Sequence, residues 1–548
     1  MLHWPNGNPP WQVQNTMCGL FASLGNALDQ PGFRERFEAL RHRGPDDTEI
    51  FQPHGAVTLA FHRLAIMDPS HAGDQPFQSP DRQTWLMCNG EVYNYPALRA
   101  RYEATYAFAS HSDCEVILPL YQEYGIAETA RRLDAEFALI IWDGAKGKLL
   151  AARDPIGIRP LFYGYQRTDG GIQFASEAKV LIDQCDTVKP FPPGHYYDGE
   201  GSFIEYRRIS HVPAYHADDE QTVCRALRER LIEAVRKRLV ADVPVGFLLS
   251  GGLDSSLVCG IAAQILKRPL QTFAIGLNEQ PIDLPYARQV AEHIGSNHHE
   301  VLFSREDTLS CLADVIRATE TWDITTIRAS IGMYLLCRYI HRETDIKVVL
   351  TGEVSDEIFG YKYTDFAPDA DAFQRESVKR IDELHYYDVL RADRCISAHS
   401  LEARVPFADL DFVSYGMAIA PEMKMNRTGM GKYLLRKAFE GMDLIPDTVL
   451  WREKAAFSDA VGHAMVDCLI AEAESLYSDA DLSAAAEKYP HATPFSKESL
   501  WYRDLFERFY PGRSNWIPGF WMPNREWQGC NVNDPSARVL SNYGNSGS

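Results

Sequence analysis

Residues 243–266 read VPVGFLLSGGLDSSLVCGIAAQIL, and no other stretch restricts the fold of the chain as tightly. A short apolar run ends at Leu249, a Ser-Gly-Gly turn follows, and a helical pattern opens at about Leu253. Two later apolar runs, QTFAIGL (271–277) and IKVVLTGE (346–353), repeat the arrangement with helical stretches between them. Strands separated by whole helices cannot meet through tight turns. Crossover connections make them parallel, so an α/β parallel-sheet domain is expected. A long amphipathic helical pattern, DDEQTVCRALRERLIEAVRKRLV (218–240), leads into it.

The preceding residues have a different texture. GAVTLAFHRLAIMD (55–68), TWLMCNGEVYN (84–94), EFALIIWDGAKGKLLAARD (136–154) and GIQFASE (171–177) are short β-prone runs broken by Gly, Asn and Asp. The two runs flanking DGAKG predict a hairpin. A helix is expected over DCEVILPLYQEYG (113–125), where apolar residues recur at helical spacing. The change near residues 210–220 divides the chain into domains at 18–210 and 220–520. Residues 521–548, rich in Gly, Pro, Asn and Ser, read as an extended C-terminal tail.

At 548 residues the chain is too long for one core, which agrees with that division. A net charge of −20 argues against a general polyanion binder, although backbone N–H groups can still form a local phosphate site. No apolar run reaches the ~18–20 residues that span a membrane. The first sixteen residues lack the basic and apolar regions of a secretory signal. Eleven scattered cysteines with no Cys-x-x-Cys pair suit a reducing, cytoplasmic setting and argue against a cysteine zinc site.

The turn Ser250-Gly251-Gly252-Leu253-Asp254-Ser255-Ser256 has the chemistry of a phosphate cradle. Glycines admit a ligand close to the backbone, and the following helix presents free N–H groups. Gly-Lys-Ser/Thr is absent, so this is not a Walker A loop. By itself the segment also reads as an ordinary strand–turn–helix with Ser and Asp as caps. The motif resembles the pyrophosphate loop of N-type ATP pyrophosphatases. In VVLTGEVSDEIFGY (348–361), Glu353, Asp356 and Glu357 follow the third strand at its carboxyl end, where open α/β sheets bind ligands. Asp254 and Asp356 together could hold Mg²⁺, a hard cation that takes carboxylate oxygens.

Near the other end, NTMCGLFASLG (15–25) places Cys18 after Met17 as though Met17 were a start codon. With MCGLFA, RHRGPDD, FHRLAIMD, NGEVYNY, SDCEVIL, RDPIGIRPLFYG, ASEAKVL, LLSGGLDSS, ETWDITTIRAS, LTGEVSDEIFG, LHYYDVLRADRCISAHSLEARVPF, KYLLRKAF and WREKAAFSDAVG in order, the chain resembles the bacterial-type glutamine-dependent asparagine synthetases from Met17 to about Leu540. That resemblance implies an N-terminal-nucleophile glutaminase, an αββα sandwich, followed by an ATP pyrophosphatase domain. It implies that Cys18 attacks the glutamine amide with its own α-amine as base, so residues 1–17 would be removed or the start misassigned. Arg63 would hold glutamine's α-carboxylate, with Leu64 and Met67 beside it. Asn89, Gly90, Glu91 and Asp113 would hold the amine and amide, and Asn89 and Gly90 the oxyanion.

In the second domain the resemblance places adenosine on Leu249, Ile275, Thr351 and Gly352, and pyrophosphate on Ser250, Gly251, Gly252, Asp254, Ser255 and Ser256. Glu353 would handle protons at the reacting centre, and Lys454 would stabilise charge developing there. Asp388, Arg391 and Arg404 are candidates for the acceptor. ATP and Mg²⁺ are the implied cofactors, β-aspartyl-AMP the intermediate, and a homodimer without nucleic-acid or membrane partners the implied assembly. RDPIGIRPLFYG and ASEAKVL are expected to line the domain junction.

Three residues depart from the family pattern: Val354 where glycine is usual, Lys362 where an apolar residue is common, and Gly431 before Lys432 where an acid is usual. A β-branched residue resists φ > 0, so Val354 signals either an ordinary backbone or a reshaped loop beside Glu353. These departures leave two alternatives open: the same chemistry on another carboxylate, or a non-catalytic glutamine- or nucleotide-binding protein.

Overall fold

A computed structural model describes residues 18–25, 27–28, 30–55, 57–278, 281–453 and 463–543. The first domain contains two six-stranded antiparallel sheets. Their strands are β1 (Gly19–Leu24), β2 (Asp47–Phe51), β3 (Val57–Arg63), β4 (Phe77–Gln78), β5 (Thr84–Val92), β6 (Ala135–Asp143), β7 (Lys148–Arg153), β8 (Phe162–Gln166), β9 (Ile172–Ala175), β10 (Cys185–Pro190), β11 (His195–Tyr197) and β12 (Phe203–Glu205). The orders are β10-β8-β9-β1-β3-β2 and β12-β11-β7-β6-β5-β4. The DGAKG hairpin forms as the sequence predicts, with Asp143 opposite Lys148.

Alternation along each strand sends one set of side chains inward. Leu20, Ala22, Leu59 and Phe61 meet Met87, Ala138, Ile140 and Ala151 between the sheets. The opposite faces are apolar too, which is why helices cover them. Phe33 and Phe37 of α1 (Phe33–Glu38) pack beside Phe21 and Ala60, and α2 (Ile117–Arg132) buries Ile117, Leu118 and Leu120 against Leu139 and Ile141. The predicted helix runs past its expected end, interrupted where Gly125 adopts φ 73°. The result is an αββα sandwich.

His62 shows how tightly this domain closes. Its ring stacks on Phe37 at 4.0 Å and bonds to Thr48 Oγ1 at 2.8 Å and the Phe37 carbonyl at 3.1 Å. Burial pushes its pKa down to about 4. The folded state therefore favours the neutral ring, and stability is lost as pH falls from the ordinary value of 6.5 towards 4. A drop of that size corresponds to about 3 kcal/mol. His62→Gln is expected to flatten the fall in melting temperature across that pH window.

The second domain opens with α3 (Glu220–Arg238), capped by Asp219, whose side chain accepts from Thr222 N at 2.8 Å. Five parallel strands follow: β13 (Val245–Leu248), β14 (Gln271–Leu277), β15 (Asn297–Phe303), β16 (Val348–Leu350) and β17 (Glu402–Arg404), ordered β15-β14-β13-β16-β17. Helix α4 (Leu253–Leu266) starts where β13 ends. β13 has β14 on one side and β16 on the other, so the chain order reverses there and ligands are expected at its carboxyl end.

The C-terminal segment is not an extended tail. Trp527, Cys530, Ala537, Leu540 and Tyr543 are buried against Tyr363 and Phe373, and Asp534 pairs with Arg328 at 2.9 Å. Gly, Pro and Asn dictate irregular turns, but the interleaved aromatic residues supply enough apolar area to dock them. Among the described residues, no helix is long and apolar enough to cross a membrane.

Candidate functional site

Two candidate sites are present, one in each domain. In the first, Cys18 precedes β1, and Gly19 pairs with His62 on β3, so the thiol lies beside the end of β3. Cys18 Sγ lies 3.4 Å from Leu64 N, which donates to it, and 3.7 Å from the Leu64 carbonyl. Burial pushes the thiol up to about 12, so a proton acceptor is needed to make it nucleophilic near neutral pH.

Asn89 and Gly90 lie on β5. Asn89 is 1% exposed, and its Nδ2 has no hydrogen-bond partner among the described residues. Such an orphaned buried donor suits a developing oxyanion. A Cβ at Gly90 would lie 2.1 Å from the Glu136 carbonyl oxygen, so strand pairing itself requires glycine. Asp113 accepts from Val92 N at 2.7 Å, which fixes its buried carboxyl. Arg63 is turned onto the Met67–Asp74 turn. It donates to the Ser70 carbonyl at 2.8 Å, Asp74 at 2.5 Å, the Met67 carbonyl at 3.2 Å and the Asp68 carbonyl. A ligand carboxylate reaching Arg63 would have to share it with Asp74.

Arg404 is not an acceptor residue. It is fully buried at the end of β17, pairs with Glu91 at 3.0 Å and Glu402 at 2.9 Å, and donates to the Arg238 and Val240 carbonyls. Glu91 is thus tied to the second domain. In sequence, Arg404 sits in a motif with no indication of which neighbour it faces, and the parallel register of β17 decides that.

The second site is a cleft of about 1560 Å³, counting its open mouth, at the carboxyl ends of the central parallel strands. Leu249, Ser250, Gly252, Asp254, Ser255, Ile275, Thr351, Gly352, Glu353, Asp356, Asp388 and Arg391 all line it. Gly251 and Ser256 do not. Gly251 takes φ 77° and packs its backbone on the Asp283–Ala287 turn, and Ser256 is fully buried on the inner face of α4. Gly352 lets the β16 loop approach the start of α4, because a Cβ there would lie 2.8 Å from Ser255 N. Lys454 lies outside the described residues.

Sequence reasoning missed Lys432. Its buried ammonium contacts both Asp254 oxygens, Ser355 Oγ and Asp356 Oδ1, each at 2.8 Å. The sole signal was a lysine at the start of the KYLLRKAF helix, and nothing local in the sequence shows that it reaches the cleft. The two carboxylates therefore converge on one point that already takes a cation. Their carboxylate oxygens suit a hard cation. No group of three or more His, Cys, Asp or Glu among the described residues would hold a metal unaided.

Arg391 binds Glu353 at 2.6 Å and Asp388 at 3.2 Å. Both Asp388 and Arg391 belong to α6 (Asp388–Ser397), which comes later in the chain than α5 (Ser355–Phe359) and its N-cap, Val354. Val354 adopts φ 81° and is 2% exposed. The loop therefore keeps the shape glycine would give it, at a backbone cost of about 1–3 kcal/mol. Removing the side chain forfeits about 1.5–3 kcal/mol of burial. The two nearly cancel, so Val354→Gly is expected to shift the melting temperature by less than about 2–4 °C, the equivalent of 1 kcal/mol. Of the other departures, Lys362 pairs with Glu453 at the cleft and donates to the Asn542 carbonyl at 3.3 Å, and Gly431 has open space around it.

Residues 17–193 match the family described as "Glutamine amidotransferase domain", and residues 226–370 and 365–533 match "Asparagine synthase". The chain is similar to the proteins named asparagine synthetase [glutamine-hydrolyzing] of Cricetulus griseus (42% identical), Mus musculus (41%) and Homo sapiens (41%). Each alignment runs over 566 residues and covers 96% of this chain and 99% of the relative.

Proposed function

The chain belongs to the asparagine synthase family of glutamine-hydrolysing ligases, and from that premise we propose how its own residues divide the work. It is an ATP-dependent enzyme that forms asparagine with nitrogen taken from glutamine. The observation that supports the division of labour is the single cleft joining the Ser250–Ser255 turn, Glu353 and Arg391 at the carboxyl ends of a parallel sheet.

In the first domain Cys18, freed of residues 1–17, attacks the glutamine amide, and its α-amine removes the thiol proton. A peptide nitrogen in its place could not do so. Asn89 and the Gly90 backbone receive the negative charge of the tetrahedral intermediate, and Arg63, Glu91 and Asp113 hold the substrate's charged ends. Ammonia then passes through the domain junction, shielded from water that would protonate it.

In the second domain Ser250, Gly252 and Ser255 cradle the phosphates, with adenosine between Leu249, Ile275 and Thr351. The aspartate side chain attacks the α-phosphorus, pyrophosphate leaves, and a β-aspartyl-AMP forms. Mg²⁺ held by Asp254 and Asp356 would neutralise phosphate charge, beside Lys432. Arg391 takes the acceptor's carboxylate. That contact weakens its bond to Glu353 and leaves Glu353 able to accept a proton when ammonia displaces AMP. Cytoplasmic location and a homodimer complete the reading.

The test is to mix the chain beginning at Cys18 with ATP, Mg²⁺ and glutamine, and to offer aspartate, glutamate and succinate separately. Pyrophosphate released with aspartate alone supports the reading. Release with another acid transfers it to that acceptor, and no release with any acid rejects it.

A further inference from the structure

We infer that Asp393, a residue of the synthetase domain, is a positioning residue for the glutaminase thiol and acts through Arg43. The inference rests on the reading of Cys18 as the nucleophile. Arg43 is fully buried at the junction. Its Nε donates to the Cys18 carbonyl at 3.1 Å. Its Nη1 donates to Asp393 Oδ2 at 2.9 Å, to Glu177 at 2.9 Å and to Ser397 Oγ at 3.0 Å, and its Nη2 to Asp393 Oδ1 at 3.0 Å. Among these partners, Asp393 takes both Nη groups.

A guanidinium is a rigid plane, so a carboxylate that grips both terminal nitrogens sets the direction of the third. Asp393 thereby fixes the plane of the Cys18 carbonyl. In a chain that begins at Cys18, the thiol, the α-amine and the carbonyl share one Cα. Holding the carbonyl at one side and Sγ against Leu64 at the other determines where the amine stands relative to the sulfur.

The surroundings explain why this carboxylate matters more than its neighbours. Glu177 is shared: it also binds Arg394 at 2.7 Å, His42 at 3.0 Å and Lys179 at 2.6 Å. With the Asp393 charge removed, Arg43 is left with Glu177 and is drawn towards it, away from the Cys18 carbonyl. Among the described residues Asp393 makes no hydrogen bond or ion pair with Arg63, Asn89 or Asp113, so glutamine binding is not its task. It sits on α6, which carries Arg391 of the acceptor cleft two residues earlier, so one helix serves both sites.

The experiment measures both half-reactions of the full chain beginning at Cys18, for the wild type, Asp393→Asn and Arg43→Lys. Both variants are expected to lose about 10- to 100-fold in kcat for glutamine hydrolysis, the cost of displacing a reacting group by about 1 Å. KM for glutamine should stay within about threefold, since uniform binding is untouched. Asparagine formation from added ammonia should persist. Ser397→Ala, which removes one bond but leaves the carboxylate, should retain most of the kcat. Equal losses in both half-reactions, a change confined to KM, or wild-type hydrolysis in Asp393→Asn would each overturn the inference. Should Asp393→Asn not fold, Arg43→Lys decides alone, because lysine keeps the charge on Glu177 but lacks the planar fork. Failure of the reading beneath is separable: in that case Cys18→Ala hydrolyses glutamine as fast as the wild type.

Discussion

Cys18→Ala, in a chain beginning at residue 18, is expected to lose glutamine-dependent asparagine formation by on the order of 10³-fold or more while keeping ammonia-dependent formation near the wild-type rate. The split follows from the architecture. The thiol lies at the start of β1, an inner strand of the antiparallel sandwich, and the cleft lies at the ends of a separate parallel sheet. Ammonia supplied from solution bypasses the first site. The same result is expected when residues 1–17 are retained, because an acylated nitrogen cannot accept the thiol proton and burial holds that thiol at about 12. Intact mass of the protein, measured alongside both activities, separates a blocked amine from an absent thiol. Full glutaminase activity in a chain shown to retain residues 1–17 would refute the α-amine as base.

The second large effect is expected at Lys432. Lys432→Met is expected to reduce pyrophosphate release by about 10²- to 10³-fold, the scale of removing one charged group aimed at a transition state. Lys432 Nζ is the hub that joins Asp254 to Asp356. Without it, two carboxylates face each other where the phosphates must enter. Some loss of stability will accompany the change, because breaking a buried ion pair leaves uncompensated charge. Glutamine hydrolysis provides the control, since it depends on the other domain. If glutaminase activity is retained and pyrophosphate release is unchanged, Lys432 has no part in handling ATP.

Much of this site is legible in the amino-acid sequence. Cys18, the Ser250–Ser255 turn, Glu353 and Asp356 carry local signals: a cysteine directly after a methionine, a strand running into glycines and hydroxyls, acids just past a strand end. Of the two arginines expected near the acceptor, Arg391 lines the cleft and Arg404, thirteen residues later, does not. Both are arginines in one continuous motif. Helix α6 turns Arg391 to the cleft, and β17 places Arg404 against Glu91. Val354 is a further case. Its chemistry predicted reluctance to adopt φ > 0, yet the loop holds it at 81°, with burial against the core offsetting the backbone cost.

The sequence by itself marked a strand-rich first domain, a parallel-sheet second domain and the phosphate turn, because strand alternation, helical spacing and turn glycines are properties of neighbours along the chain; the αββα sandwich and the glutamine-site residues came from the resemblance of the ordered motifs. The tertiary structure alone decided which charges meet. Lys432 with Asp254 and Asp356, Arg43 with Asp393, and Arg404 with Glu91 each join residues 76 or more positions apart. Such pairings follow from how the sheets stack and where each strand ends. A buried charge has to be matched by whatever the fold brings alongside it, and local sequence carries no record of that partner.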